Sequence, residues 1–247
     1  MFRKGSYTQV SSFCQAQRAA PIQALPGHQD AAIPYLLEPR ATLVRGPEVM
    51  VRWNPVAGVR RYQIWLVRLR DQRLLWGAQV LDATHTTLPA RLALVPGEPY
   101  RLVVEAENGS STQLDPSNVQ LGFGLLPKTE LRQLEQDWAE IQSLRAQKIS
   151  PQSLALLEAG VLEQRGLLAE AISLLTRQER QGLSLEGQLQ LGRLTSLQGL
   201  NQRAQEHFRQ AARLARAAGD DESNREAQEG EELASRLAYE SSLISPP

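Results

Sequence analysis

Gly166-Leu-Leu-Ala-Glu-Ala171-Ile-Ser-Leu-Leu175 and Gly199-Leu-Asn-Gln-Arg-Ala204-Gln-Glu-His-Phe208-Arg-Gln-Ala211 superpose with an offset of 33 residues. The same offset pairs Ala159 with Gly192 and Leu162 with Thr195. Small residues at fixed places let the two helices of a hairpin approach closely, and the large ones fill the groove between hairpins. Helix signals surround the recurrence. Leu131, Leu134, Trp138 and Ile141 form a narrow apolar stripe that needs a partner helix. Ser150-Pro151 joins a capping hydroxyl to a proline suited to the first helical turn. Residues 220–243 predict a final helix with Leu233 and Leu237 inward and an acidic outer face.

Upstream of Pro127 the pattern changes to short alternating runs. Eleven of the 14 prolines lie at or before Pro127, as do Trp53, Trp65 and Trp76. Val49, Val51 and Trp53 alternate up to Asn54-Pro55. In 61–69, Tyr62, Ile64 and Leu66 share one face of a strand, with Trp65, Val67 and Leu69 on the other. Further strands are predicted at 73–81, around Leu75 and Trp76, and at Tyr100, Leu102, Val104 and Ala106, before an Asn108-Gly109 turn. A last one is expected from Ser117 to Phe123. Six or seven strands within about 95 residues predict an antiparallel β-sandwich. The expected class is therefore multi-domain, all-β followed by all-α. It comprises an unstructured or remnant segment over 1–31, a sandwich over 32–126 and helical hairpin repeats over 127–247.

Charge narrows the functions. Lys plus Arg and Asp plus Glu are both 27, and the neutral sum divides into +4 before Pro127 and −4 from it onward. Neither half has the field expected of a nucleic-acid or anionic-membrane binder. The single Cys, Cys14, excludes an intrachain disulfide framework, and three His (28, 85 and 207) leave little for a metal site. No apolar run reaches the length of a membrane span. No phosphate loop, dinucleotide fingerprint or nucleophile elbow occurs, so neither catalysis nor a cofactor is expected. Arg60, Arg61, Arg68, Arg70 and Arg73 read as a solvated sheet edge.

Two resemblances follow from these residues. Trp53-Asn-Pro-Val, Tyr62 and Leu94-x-Pro96-Gly97-x-x-Tyr100 resemble a fibronectin type III or immunoglobulin-like module over roughly 32–125. The last segment looks like that family's tyrosine corner, which implies that the Tyr100 hydroxyl bonds back to nearby backbone. Leu191, Gly192, Gly199, Ala204, Phe208 and Ala211 resemble a tetratricopeptide repeat, with departures at Thr195 and Gln188. The latter resemblance implies a TPR-like solenoid with a protein-binding groove. The groove positions map to Ser153, Leu156, Gly160, Glu163 and Gln164 in one repeat, and to Glu186, Leu189, Arg193, Ser196 and Leu197 in the next.

The expectation is a non-enzymatic protein–protein interaction or scaffold protein, with a module order resembling bacterial envelope proteins. Its partner and oligomeric state are open. It is periplasmic or extracellular if an export signal lies upstream of Met1, and otherwise cytoplasmic. Trp65, Val67, Leu69 and Trp76 are the candidate interaction face of the strand half. The competing reading is a carbohydrate-binding accessory module with Trp65 and Trp76 as a stacking platform.

Overall fold

The computed structural model describes residues 31–46, 48–115, 122–145, 149–179 and 182–244. Cys14, nearly all of the segment expected over 1–31 and most of the strand expected from Ser117 lie outside them. Among the described residues are eight strands and six α-helices. The strands are β1 (Leu36–Glu38), β2 (Thr42–Val44), β3 (Met50–Trp53), β4 (Arg61–Arg68), β5 (Arg73–Leu81), β6 (His85–Thr87), β7 (Pro99–Ala106) and β8 (Phe123–Leu125). The helices are α1 (Lys128–Arg145), α2 (Pro151–Gln164), α3 (Leu168–Glu179), α4 (Leu185–Leu197), α5 (Asn201–Ala218) and α6 (Asp221–Ile244).

The strands form a three-stranded sheet, β1-β3-β6, and a five-stranded sheet, β2-β8-β7-β4-β5. This corrects the expected class. Among the described residues the fold is mixed α/β, 49% helical and 22% strand, and not an antiparallel sandwich followed by a solenoid. The decisive feature is β2, which pairs parallel to β8 through Thr42–Phe123, Leu43–Gly124 and Val44–Leu125. Alternation over β4 and β7 reads as half-buried antiparallel strands, and those two do pair antiparallel. Phe123, Gly124 and Leu125 are instead all buried, the mark of a strand covered on both faces. Leu125 enters the core between the sheets, while the next residue, Leu126, packs with Leu43 among the helices.

One apolar core joins both sheets through Leu36, Val51 and Trp53 on one side and Ile64, Leu66, Leu102 and Val104 on the other. Trp53 meets Tyr62 edge-on, with centroids 5.4 Å apart. Two tyrosines pin loops to this core: Tyr62 Oη accepts from Val56 N at 3.0 Å and Tyr100 Oη from Val95 N at 2.7 Å.

Each 33-residue unit folds as a helix pair with the same turn. Gly166 (φ 71°) and Gly199 (φ 67°) occupy the left-handed region that glycine enters without a Cβ penalty. Gly166 N donates to Glu163 O and Leu167 N to Leu162 O; 33 residues on, Gly199 N donates to Ser196 O and Leu200 N to Thr195 O. Ala171 and Ala204, just beyond, are fully buried.

The strand and helical halves share a continuous junction. Leu43 N donates to Gly166 O at 2.8 Å, and Leu43 and Leu126 share a core with Leu134 of α1 and Leu162 of α2. Arg45, next to β2, lies over the Trp138 ring of α1 and pairs with Glu170 of α3. Arg40 is 1% exposed; it donates to Asp115 Oδ2 at 2.9 Å, to Leu36 O at 3.2 Å and to Gln198 O at the end of α4. A cation there meets the negative end of the helix dipole.

Candidate functional site

The five-stranded sheet treats its two edges differently. The β2 edge is three residues long and is met by the α2–α3 turn: Leu43 N reaches Gly166 O, and Thr42 Oγ1 accepts from Ala169 N at 3.2 Å. The opposite edge, β5, is nine residues long and, among the described residues, has only β4 beside it. Natural edge strands are usually short, charged, proline-broken or covered. β5 carries one charge, Arg73 at its end, and no proline; Leu74 and Leu81 stand 57% and 60% exposed.

Register fixes which side chains gather at this edge, because residues directly paired across an antiparallel ladder share a face. Trp65 pairs with Gly77, Val67 with Leu74 and Arg61 with Leu81. Trp65, Val67, Leu74 and Leu81 therefore lie on the face away from the core, with Val103 of β7 opposite Trp65. A Cβ on Gly77 would come within 3.1 Å of Trp65 Cδ1, so the missing side chain gives the indole its place. Leu69, beyond the end of β4, is half-buried, and its N–H donates to Pro99 O.

Trp76 belongs to the other face. It pairs with Leu66, which is wholly buried, and packs against the core between the sheets. Trp65 and Trp76 thus point to opposite sides and form no common stacking platform. Neighbouring arginines are largely neutralised. Arg60 pairs with Asp82, Arg70 with Glu98, and Arg68 with Asp71, whose carboxyl its hydrogen bonds hold down at about 2.

The expected helical groove is divided. Glu163 of α2 accepts from Gln190 Nε2 of α4 at 3.2 Å, while Gln164 and Glu186 are exposed. Arg193 is exposed and lies 3.9 Å from Glu226 of α6. Leu189 and Ser196 are buried; Leu189 packs with Phe208, Ala227 and Ala234, so α6 consumes it as core. Of Glu163, Gln164, Glu186, Leu189, Arg193 and Ser196, the first three and Arg193 remain at the surface, and Glu163 and Arg193 are engaged with neighbouring helices.

Among the described residues no group of three His, Cys, Asp or Glu is placed to hold a metal, and no helix is long and apolar enough to cross a membrane. His207 Nδ1 lies 2.9 Å from Gln188 Oε1; burial lowers its pKa, with Glu179 opposing the shift. Comparison with family models, curated proteins and solved structures gives no match. The sheet edge was only half legible in sequence: the period-two pattern places Trp65 and Val67 outward, but strand order, which makes β5 an edge, has no local signal.

Proposed function

We propose that this chain is a non-enzymatic protein-interaction scaffold and that its docking element is the β5 edge, where an extended segment of a partner adds as a further strand. Strand addition draws affinity from main-chain hydrogen bonds and specificity from alternate side chains. β5 offers both: a long edge with one neighbour, and an outward row of Leu74, Trp65 and Leu81 for an apolar partner face. The observation that supports this reading best is the contrast between the two edges, one covered by the chain's own α2–α3 turn and one with no second neighbouring strand among the described residues. The helical half serves as the rigid backing through Arg40, Arg45 and Leu43.

Photo-crosslinking in the native host tests this. A photoreactive residue at position 74 or 81 is expected to yield one recurrent protein adduct, and one at Gln164 or Glu186 is not. Adducts from the helical positions alone, or from none of the four, contradict the reading.

A further inference from the structure

The turn after β7 carries chemistry that the β5 edge does not use. Glu107-Asn108-Gly109 is a tight loop: Ala106 N donates to Ser110 O and Gly109 N to Ala106 O, both at 2.8 Å. Gly109 takes the left-handed conformation (φ 85°) that closes it. All three loop residues are exposed. The loop also braces the start of β4, because Glu107 Oε1 accepts from Arg60 N at 2.8 Å and from Arg61 N at 3.3 Å.

Asn108 is the only asparagine in the sequence that precedes a glycine. Nothing lies within 4 Å of the place a Cβ on Gly109 would take, so no side chain shields Gly109 N from Asn108 Cγ. Asn108 Oδ1 accepts two hydrogen bonds, from Ser110 N at 3.0 Å and from Ser110 Oγ at 2.8 Å. Donors on a carbonyl oxygen draw electrons from its carbon and stabilise the charge that gathers on the oxygen when a nucleophile adds. The turn thus joins an electrophilic carbon, donors for its oxygen and an unshielded neighbouring amide. The other described asparagines lack this set. Asn54 precedes Pro55, which has no N–H. Asn201 and Asn224 lie in helices and precede Gln202 and Arg225, whose side chains crowd the approach.

We infer that Asn108 is a site of spontaneous covalent modification, in which the Gly109 amide closes on the Asn108 side chain and water converts the asparagine to aspartate or isoaspartate. Hydroxide takes the Gly109 amide proton and Gly109 N bonds to Asn108 Cγ. The Cγ–Nδ2 bond then breaks, and Nδ2 leaves as ammonia with a proton from water. The product is a five-membered succinimide. Water opens it at Cγ to give aspartate, or at the main-chain carbonyl to give isoaspartate, with the chain rerouted through Cβ and Cγ. The net reaction consumes one water and releases one ammonia. Either product sets a new carboxylate beside Glu107, and isoaspartate adds a methylene to a loop closed by two backbone hydrogen bonds. The site is separate from the β5 edge and stands whether or not that edge docks a partner.

Mass spectrometry of the folded full chain, incubated at mildly alkaline pH and then digested, tests this, with a synthetic peptide of residues 104–112 in a parallel tube as the clock. The expected product carries a hydroxyl in place of the Asn108 side-chain amine, and part of it is labelled by an isoaspartyl carboxyl methyltransferase. Attack gives up one hydrogen bond, that of Gly109 N to Ala106 O, so the folded chain is expected to convert within about tenfold of the peptide's rate. Asn108→Gln, whose closure needs a six-membered ring, gives no product at this position. Ser110→Ala, which loses one donor to Oδ1, is expected to convert about threefold more slowly than the wild-type chain. Far-UV circular dichroism checks that each variant is folded. Conversion of the wild-type chain more than about tenfold slower than the peptide, faster conversion at Asn54, Asn201 or Asn224, or an unchanged rate in folded Ser110→Ala overturns the inference.

Discussion

Arg40 meets partners far away in the chain: Asp115 is 75 residues on and Gln198 is 158 residues on. Burial lowers the guanidinium pKa and Asp115 opposes that shift, so the pair stands or falls together. Arg40→Met removes the cation and leaves Asp115, buried at 2% exposure, facing an apolar side chain. A loss of about 3–5 kcal/mol in urea unfolding is expected, partly recovered in Arg40→Met/Asp115→Leu. Nothing in sequence marks this residue; one arginine after Pro39 belongs to no period, and its value lies wholly in tertiary placement. His207 titrates in a window of its own. Because burial lowers its folded pKa, the folded chain resists a proton that the unfolded chain accepts below about 6.5. Stability contributed by neutral His207 is complete above that pH and falls as pH drops towards the lowered value. The expected result is a wild-type stability that declines from pH 7.5 to 5 more steeply than that of His207→Gln, read from urea midpoints.

Among the elements, α4, α5 and α6 meet at a single ring. A Cβ on Gly192 or on Gly230 would come within 2.6 Å of Phe208 Cε1, so Phe208 is wedged between two helices that can approach because both are bare there. Alanine favours a helix interior over glycine by up to about 1 kcal/mol, whereas overpacking costs about 1–3 kcal/mol. Overpacking wins: Gly192→Ala and Gly230→Ala are each expected to lower Tm, and a Phe208→Leu background to reduce the drop. The 33-residue recurrence made Gly192 and Phe208 visible in sequence, because each occupies a repeated position. Gly230 lies outside the recurrence and gave no signal. Strand legibility followed length. β5 has the bounds read from the apolar run around Leu75 and Trp76, whereas β1, β2 and β6, at three residues each, are too short to alternate. Those short strands decide the class, since β2 makes the parallel pair with β8.

Across the whole molecule, the change of composition at Pro127 is read as two modules, and contacts between the strands and the helices come from residues near the first strands. Arg40, Leu43 and Arg45, all near the first strands, reach α4, the α2–α3 turn, α1 and α3. Composition reports what each half is made of and carries no record of which buried surfaces meet. The sheet to which a partner strand is proposed to add at β5 has its opposite edge braced by helices. Equilibrium urea unfolding of a Trp138→Phe chain tests this coupling, because its remaining tryptophans, Trp53, Trp65 and Trp76, all report on the sheets. Far-UV circular dichroism of the same samples reports chiefly on the helices. A single coincident transition by both probes, shifted together by Arg40→Met, is the expected result; two separate transitions, with the sheets and helices melting at different urea concentrations, would contradict it.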